Sequence, residues 1–271
     1  VGDAGRADLV GLSAPALEVL PASLASRYLA RPDDADTRAW LDANASRPHG
    51  ALATMVHRTL RRVASDYDVD AWLGMHPMHL LGTSSWRALL GAERLGGALL
   101  DVGAGNGDVT ATLAPLFDRV VATETSRPMV RRLRAKGFDA HAIDLATGSL
   151  PETSPRFRAI ALLDVLDRCA RPRSLLDAAL AALEPRGALI IASPLPMRPH
   201  VDVGGHTVDP DEPLGVEGER FEDALVSLVE TLLAPRGLEV ERWTRAPYLA
   251  RGDHDAPLHV LDDVVLVARP R

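Results

Sequence analysis

The hydrophobic period of the chain changes at Ala98, and no other feature limits its fold as much. From there seven short β-type runs follow one another: ALLDVG, RVVATE, FDAHAI, RAIALLD, GALIIAS, LEVERWT and VVLVAR. Helical stretches such as GDVTATLAPLF and RPRSLLDAALAALEPRG separate them. Strand and helix in alternation imply crossover units and a mainly parallel sheet with helices on both faces. Gly137, Gly187 and Gly237 stand where left-handed residues close helices. The segment 245–259 is too short and too polar for a crossover helix, so it reads as irregular and the last two strands as an antiparallel pair. Residues 1 to about 97 instead space their apolar positions by three and four, with no convincing strand, and Pro21, Pro32, Pro48, Gly50 and Gly74 punctuate them. The expectation is an α/β chain: a helical N-terminal region, 1–85, and a Rossmann-like domain, 86–271, built on a seven-stranded sheet.

Charge narrows the partners. With 37 acidic against 30 basic residues the formal net charge is −7, a field that repels phosphate backbones and anionic lipid. The densest basic run, RRLRAKG at 131–137, interleaves with Met129, Val130 and Leu133 as on the outer face of an amphipathic helix, so it reads as a solvated face and not a nucleic-acid contact. The single cysteine, Cys169, excludes an intrachain disulfide and a multi-thiolate zinc site. No apolar run reaches the roughly 18 residues of a membrane span, and no secretory h-region opens the sequence. These features predict a soluble cytoplasmic protein without nucleic-acid or membrane partners.

The first β-run enters a glycine turn, LLDVGAGNGDVT at 99–110. A dinucleotide site wants G-x-G-x-x-G, with pyrophosphate over the helix N-terminus. Here Gly103, Gly105 and Gly107 are followed by Asp108, an acid where a phosphate needs positive potential. Glu124 ends the second strand, 21 residues after Gly103, where a carboxylate receives both ribose hydroxyls. A ribose site without a phosphate-friendly turn favours S-adenosyl-L-methionine, whose ammonium suits a backbone carbonyl or Asp101. Asp144, after the third strand, is placed to reach the adenine amino group. The expected cofactor-binding residues are therefore Asp101, Gly103, Gly105, Asn106 and Gly107 in the turn, Glu124 and Thr125 after the second strand, and Asp144 and Leu145 after the third.

The end of the fourth strand, ALLDVLDRCARP at 161–172, lies beside a transferred methyl in such an arrangement. Asp164 closes that strand and Asp167 follows. One of them can serve as general base or orienting acceptor. Alternatively, Asp167 caps a turn and pairs with Arg168 or Arg171. The segment 197–219, rich in Pro, Gly and acid, reads as a long substrate-facing flap at the carboxyl edge of the sheet.

The elements LLDVGAGNGDVT, VLDRCARPRSLL, LPMRPHVDVGG, TRAPYLARGD and VLDDVVLV, in this order and at similar spacings, resemble the DREV family of methyltransferases over about residues 80–270. The resemblance implies a class I S-adenosylmethionine-dependent methyltransferase acting on the Nπ nitrogen of histidine, in proteins or peptides with alternating histidines. On that reading Asp167 matches the L-D-R-C aspartate and accepts the Nτ hydrogen, which leaves the lone pair on Nπ. Tyr248 of PYL orients the substrate or walls the site; its alternative is a half-buried packing role. The chain departs from the family at Asp164, where an asparagine is usual, and at LPMRPH, 195–200, where the family carries LPFHPY. Both changes keep open a small natural product as acceptor, or a methyltransferase-fold cyclase. The histidines of HPMH, His76 and His79, have no third ligand nearby in sequence and Pro77 between them, so no metal is expected.

Overall fold

The computed structural model describes residues 12–30, 35–45, 49–203, 206–252 and 256–271. Pro32 and Pro48 lie outside these. Four helices come first: α1 (Ala22–Ala25), α2 (Ala35–Asn44), α3 (Ala51–Leu60) and α4 (Asp66–Leu73). The short strand β1 (Met78–His79) and helix α5 (Thr83–Leu90) lead into the alternating region. There β2 (Ala98–Val102), α6 (Asp108–Leu113), β3 (Arg119–Glu124), α7 (Arg127–Ala135) and β4 (Asp139–Ala142) form one half. The other half holds β5 (Phe157–Leu163), α8 (Pro172–Ala182), β6 (Leu183–Pro194), the hairpin β7 (Val201–Val203) and β8 (His206–Val208), α9 (Phe221–Leu228), β9 (Leu238–Arg251) and β10 (Leu258–Pro270).

The main sheet has eight strands in the order β1-β9-β10-β6-β5-β2-β3-β4. Strands β4, β3, β2, β5 and β6 run parallel, whereas β10 is antiparallel to both β6 and β9. Seven strands are those expected from the apolar runs, in the Rossmann-like order of methyltransferases, and β1 adds an edge beside β9. The order reverses between β2 and β5, which opens a crevice beyond their carboxyl ends.

Alternation along the central strands divides the core by face. Leu100, Val102, Ile160, Leu162, Leu189 and Ile191 pack with Leu175 and Leu176 of α8 and Leu225 and Leu228 of α9. Leu99, Ala159, Ala161 and Ile190 pack on the opposite face with Trp86 and Leu89 of α5 and Leu113 of α6. Every residue of β2 is buried, the mark of a parallel strand covered on both sides.

Four expectations need correction. Met78–His79 is a strand, so the first 97 residues do contain one. The segment 245–259 is not irregular: β9 continues to Arg251 and β10 resumes at Leu258, with Arg245 bound to Asp262 across the ladder at 2.8 and 2.5 Å. Gly137 and Gly237 have φ of 89° and 69°, but Gly187 lies within β6 and is not left-handed. The run 131–137 is only partly a solvated face. Arg132 and Arg134 donate to the carbonyls of Ala71 and Ala140, and Lys136 pairs with Asp108.

Trp243 of β9 ties the first helical segment to this frame. It is fully buried, its indole donates to the Leu24 carbonyl at 2.8 Å, and its backbone bonds Arg27 and Leu29. Trp243→Ala is expected to cost about 3–5 kcal/mol, from the cavity and the orphaned carbonyl. A lowered urea midpoint with an unchanged slope is the predicted signature; an unchanged midpoint would show that the segment contributes nothing to stability.

Candidate active site

The glycine turn leaves β2 with three left-handed residues, Gly103, Gly105 and Gly107 (φ 69°, 54° and 78°). Side chains are also excluded by space. A Cβ on Gly103 would stand 2.8 Å from Val165 Cγ2, and one on Gly107 2.7 Å from Leu133 Cδ2. Glu124 anchors the turn from the end of β3: it is buried and accepts from Gly105 N (3.0 Å), Thr125 N (2.7 Å) and Ser126 N (3.0 Å). Asp101, beneath the turn, accepts from the Thr110 hydroxyl at 2.6 Å. Burial pushes its carboxyl up to about 7, opposed by the Thr110 hydrogen bond and aided by the charge of Glu124.

Asp108 has a different task from the one its helix position suggests. It accepts from Asn106 Nδ2 (2.8 Å) and from the Met78 backbone N–H (3.0 Å), and Lys136 neutralises it. It thereby fastens the edge strand β1 over the glycine turn. Asp144 is exposed and accepts from Ala146 N and the Thr147 hydroxyl, while Leu145 is buried in the core beneath it. The turn thus offers close backbone, two carboxylates and one cation already committed to Asp108. Such a set suits a ribose and an ammonium and is hostile to a pyrophosphate.

Beside the glycine turn, acids collect after the end of β5 and within β10. Asp164 follows β5 in a left-handed conformation, φ 53°, rare for a residue with a side chain. Asp167 is 1% exposed; Arg168 Nε donates to its Oδ2 at 3.0 Å, while Oδ1 receives no donor. Asp263 is fully buried in β10, and among the described residues neither of its oxygens nor those of Asp164 receives a donor from any group other than the two carboxyls themselves. Burial raises the Asp164 carboxyl to about 7, with a hydrogen bond to Asp263 opposing and the charge of Asp167 adding. Burial, and then Asp164, raise Asp263 well above the carboxylate range. Burial therefore leaves both carboxyls holding protons at a higher pH than free carboxyls do.

Three further side chains enclose this group. Tyr248 of β9 donates to Met78 Sδ at 2.9 Å, and burial, followed by the charges of Asp164 and Asp263, raises its phenol well above 10. Tyr67 of α4 comes from the N-terminal layer. Burial of its hydroxyl end raises it to about 12, with Arg168 opposing and Asp202, Glu124 and Asp167 adding to the shift, although 41% of the residue remains exposed. Its neighbour Asp68 accepts from the Ser126 hydroxyl at 2.6 Å, next to Glu124. The segment 197–219 also docks here: His200 N donates to the Asp167 carbonyl, and Glu212 accepts from Ser174 at the start of α8. It carries the β7–β8 hairpin and is not a loop throughout.

Asp164, Asp167 and Tyr248 are thus gathered into one group, next to the glycine turn that Glu124 anchors. Asp263, Tyr67, Asp68 and Met78 were not foreseen as site residues. Asp263 was within reach, because alternation places it on the same inner face as Val265 and Val267. The HPMH histidines do not converge: His79 meets Thr37 at 2.8 Å, while His76 turns to Asp70.

A parallel sheet with this order and this crevice defines a Rossmann-like, class I methyltransferase fold. A model of the DREV methyltransferase family matches residues 14–270, and the chain belongs to that family. A demethylmenaquinone methyltransferase of Tropheryma whipplei is 30% identical over 149 residues, and a ubiquinone/menaquinone biosynthesis C-methyltransferase of Cereibacter sphaeroides 32% over 152. In each case the match covers 53% of this chain and 60% of the relative. Among solved structures, the N-methyltransferase NodS of Bradyrhizobium japonicum with S-adenosyl-L-homocysteine is 17% identical, with a TM-score of 0.44 over 69% of this chain and 85% of that one. The magnesium protoporphyrin IX methyltransferase of Synechocystis with bound S-adenosylmethionine is 16% identical, with a TM-score of 0.47 over 69% and 77%. No helix among the described residues is long and apolar enough to cross a membrane.

The raised carboxyls of Asp164 and Asp263 have a consequence for stability. Both carboxyls are raised in the folded protein, so between about pH 4 and 7 the native state binds more protons than the unfolded chain. Their contribution to stability is then complete near pH 4 and declines as pH rises towards 7. Asp164→Asn/Asp263→Asn is expected to flatten that decline. Urea midpoints measured across this range check it; an identical slope in wild type and double variant would show that the two carboxyls are not raised in the folded protein.

Proposed function

We propose that this protein transfers the methyl group of S-adenosylmethionine to the Nπ nitrogen of a histidine in a protein or peptide. One observation carries the reading: the unpartnered Oδ1 of Asp167, 1% exposed, in the segment after β5 whose Val165 packs on the glycine turn. S-adenosylmethionine supplies a methyl carbon made electrophilic by its sulfonium. In the chain, Gly103, Gly105 and Gly107 with Asp101 and Asn106 hold the amino-acid end, Glu124 with Thr125 holds the ribose, and Asp144 with Leu145 borders the adenine.

Asp167 then acts on the acceptor. Its Oδ1 accepts the Nτ–H of an imidazole, fixing the tautomer whose lone pair is on Nπ. Nπ would form its bond to the methyl carbon as the carbon–sulfur bond breaks and its electron pair returns to sulfur, giving S-adenosylhomocysteine. The positive charge that spreads over the ring is stabilised by the same carboxylate, which takes up the Nτ proton to leave the neutral methylimidazole. Arg168, bound to Oδ2, keeps Asp167 oriented. Asp164 and Asp263 are raised by burial and retain protons more readily than free carboxyls, so the site presents less negative charge than three carboxylates would. Tyr248 forms the wall against which the ring lies.

A second reading is supported by Asp164 and the altered LPMRPH segment, which place an extra acid and different side chains where the acceptor enters. It takes a small molecule as acceptor. The decisive experiment uses labelled S-adenosylmethionine with peptides of alternating histidines. Asp167→Asn should lower turnover by about 100-fold or more, with S-adenosylhomocysteine affinity unchanged. Undiminished turnover would remove Asp167 from the mechanism, and methylation of a small molecule with no labelled peptide would establish the second reading.

A further inference from the structure

Away from the crevice, the N-terminal layer assembles a second group of polar side chains. His57 of α3 places Nε2 2.7 Å from Asp70 Oδ1, and His76, just after α4, places Nδ1 2.8 Å from the same oxygen. The three ligand-type atoms all lie within 4.8 Å of one another. Two imidazole nitrogens and a carboxylate at this separation match the ligand set of three-ligand zinc sites, with a fourth position left for water. The side chains are partly buried, exposed by 10%, 20% and 19% for His57, Asp70 and His76, so an ion would be shielded but still has an entry path.

The surroundings fix the group as a metal site would require. His76 adopts φ 52°, held there because its backbone N–H donates to His49 Nε2 at 3.1 Å. His49 in turn meets Arg251 of β9 at 3.3 Å, so the ring that positions His76 is braced against the sheet. His57 and His76 stand edge to face with centroids 5.4 Å apart, both rings turned towards Asp70.

We propose that His57 Nε2, His76 Nδ1 and the Asp70 carboxylate bind one divalent transition-metal ion of the zinc type. Imidazole with carboxylate suits Zn²⁺ and Co²⁺ over Mg²⁺ or Ca²⁺. The bound ion requires His57 to carry its proton on Nδ1 and His76 on Nε2, because the ligating nitrogen of each ring must present its lone pair. The ion cross-links α3, α4 and the segment leading to β1. Because α4 also carries Tyr67 and Asp68, it stiffens the layer that covers the crevice. The proposal uses none of the residues assigned to methyl transfer and stands apart from that assignment.

Untagged full-length protein, stripped with chelator, is titrated calorimetrically with ZnCl₂ and spectroscopically with CoCl₂. The expected results are one Zn²⁺ per chain and a visible Co²⁺ absorption typical of a four- or five-coordinate nitrogen and oxygen site. His57→Gln, His76→Gln and the isosteric Asp70→Asn should each weaken Zn²⁺ by more than about 100-fold, beyond the loss that outer partners of a metal produce. Zn²⁺ should also raise the melting temperature of the wild type and not of the variants. Circular dichroism in chelator shows whether each variant folds. Absence of Co²⁺ absorption in the wild type overturns the proposal without any variant, and so does Zn²⁺ binding that the three substitutions leave unchanged.

Discussion

Two carboxyl groups buried side by side, Asp164 at the end of β5 and Asp263 in β10, set the terms for the rest of the crevice. A lone ionised carboxylate at such a depth is costly, and two adjacent ones cannot both ionise near neutral pH. Retained protons resolve the conflict: burial holds both carboxyls above their ordinary range, and the pair forms a single acidic unit. Asp164 reaches its position only through a left-handed backbone, and its amide still bonds the Ala192 carbonyl of β6, so the sheet itself holds the side chain in place. Asp167, three residues further on, inherits an environment in which one oxygen is taken by Arg168 and the other receives no donor.

Around that unit the chain places elements distant in sequence. Met78 joins Asp108 and Tyr248, and so links the edge strand, the glycine turn and β9. Tyr67 and Asp68 reach over from α4 to the charges at Glu124 and Asp167. The 197–219 segment closes the remaining side through His200 and Glu212. Each contact is a short polar tie between layers, which is how a scaffold of buried apolar strands is given one chemically specific edge.

The strands were legible because a parallel strand buried on both faces is a nearly unbroken apolar run, as in ALLDV and FRAIALL. Where β9 and β10 turn polar the pattern misled, because Arg245 and Asp262 satisfy each other across the ladder and are not loop residues. Met78–His79 carries no period that two residues next to a proline could reveal. Glycine spacing together with Glu124 made the turn readable, since both are local features. Tyr67 over the crevice and Asp70 between two histidines depend on how α4 packs against α7, and no spacing in the sequence records it. Asp263 lies between these cases: its inner-face position follows from alternation, whereas the partner that makes it consequential is 99 residues away in the chain.

On the function proposed above, a carboxylate accepting Nτ–H leaves Nπ as the only nitrogen free to attack. The most direct test is the identity of the product. A peptide with alternating histidines is incubated with S-adenosylmethionine and the wild-type protein, hydrolysed, and its methylhistidine isomers are separated against standards. The account predicts Nπ-methylhistidine alone; Nτ-methylhistidine, or an unmodified peptide, would contradict it.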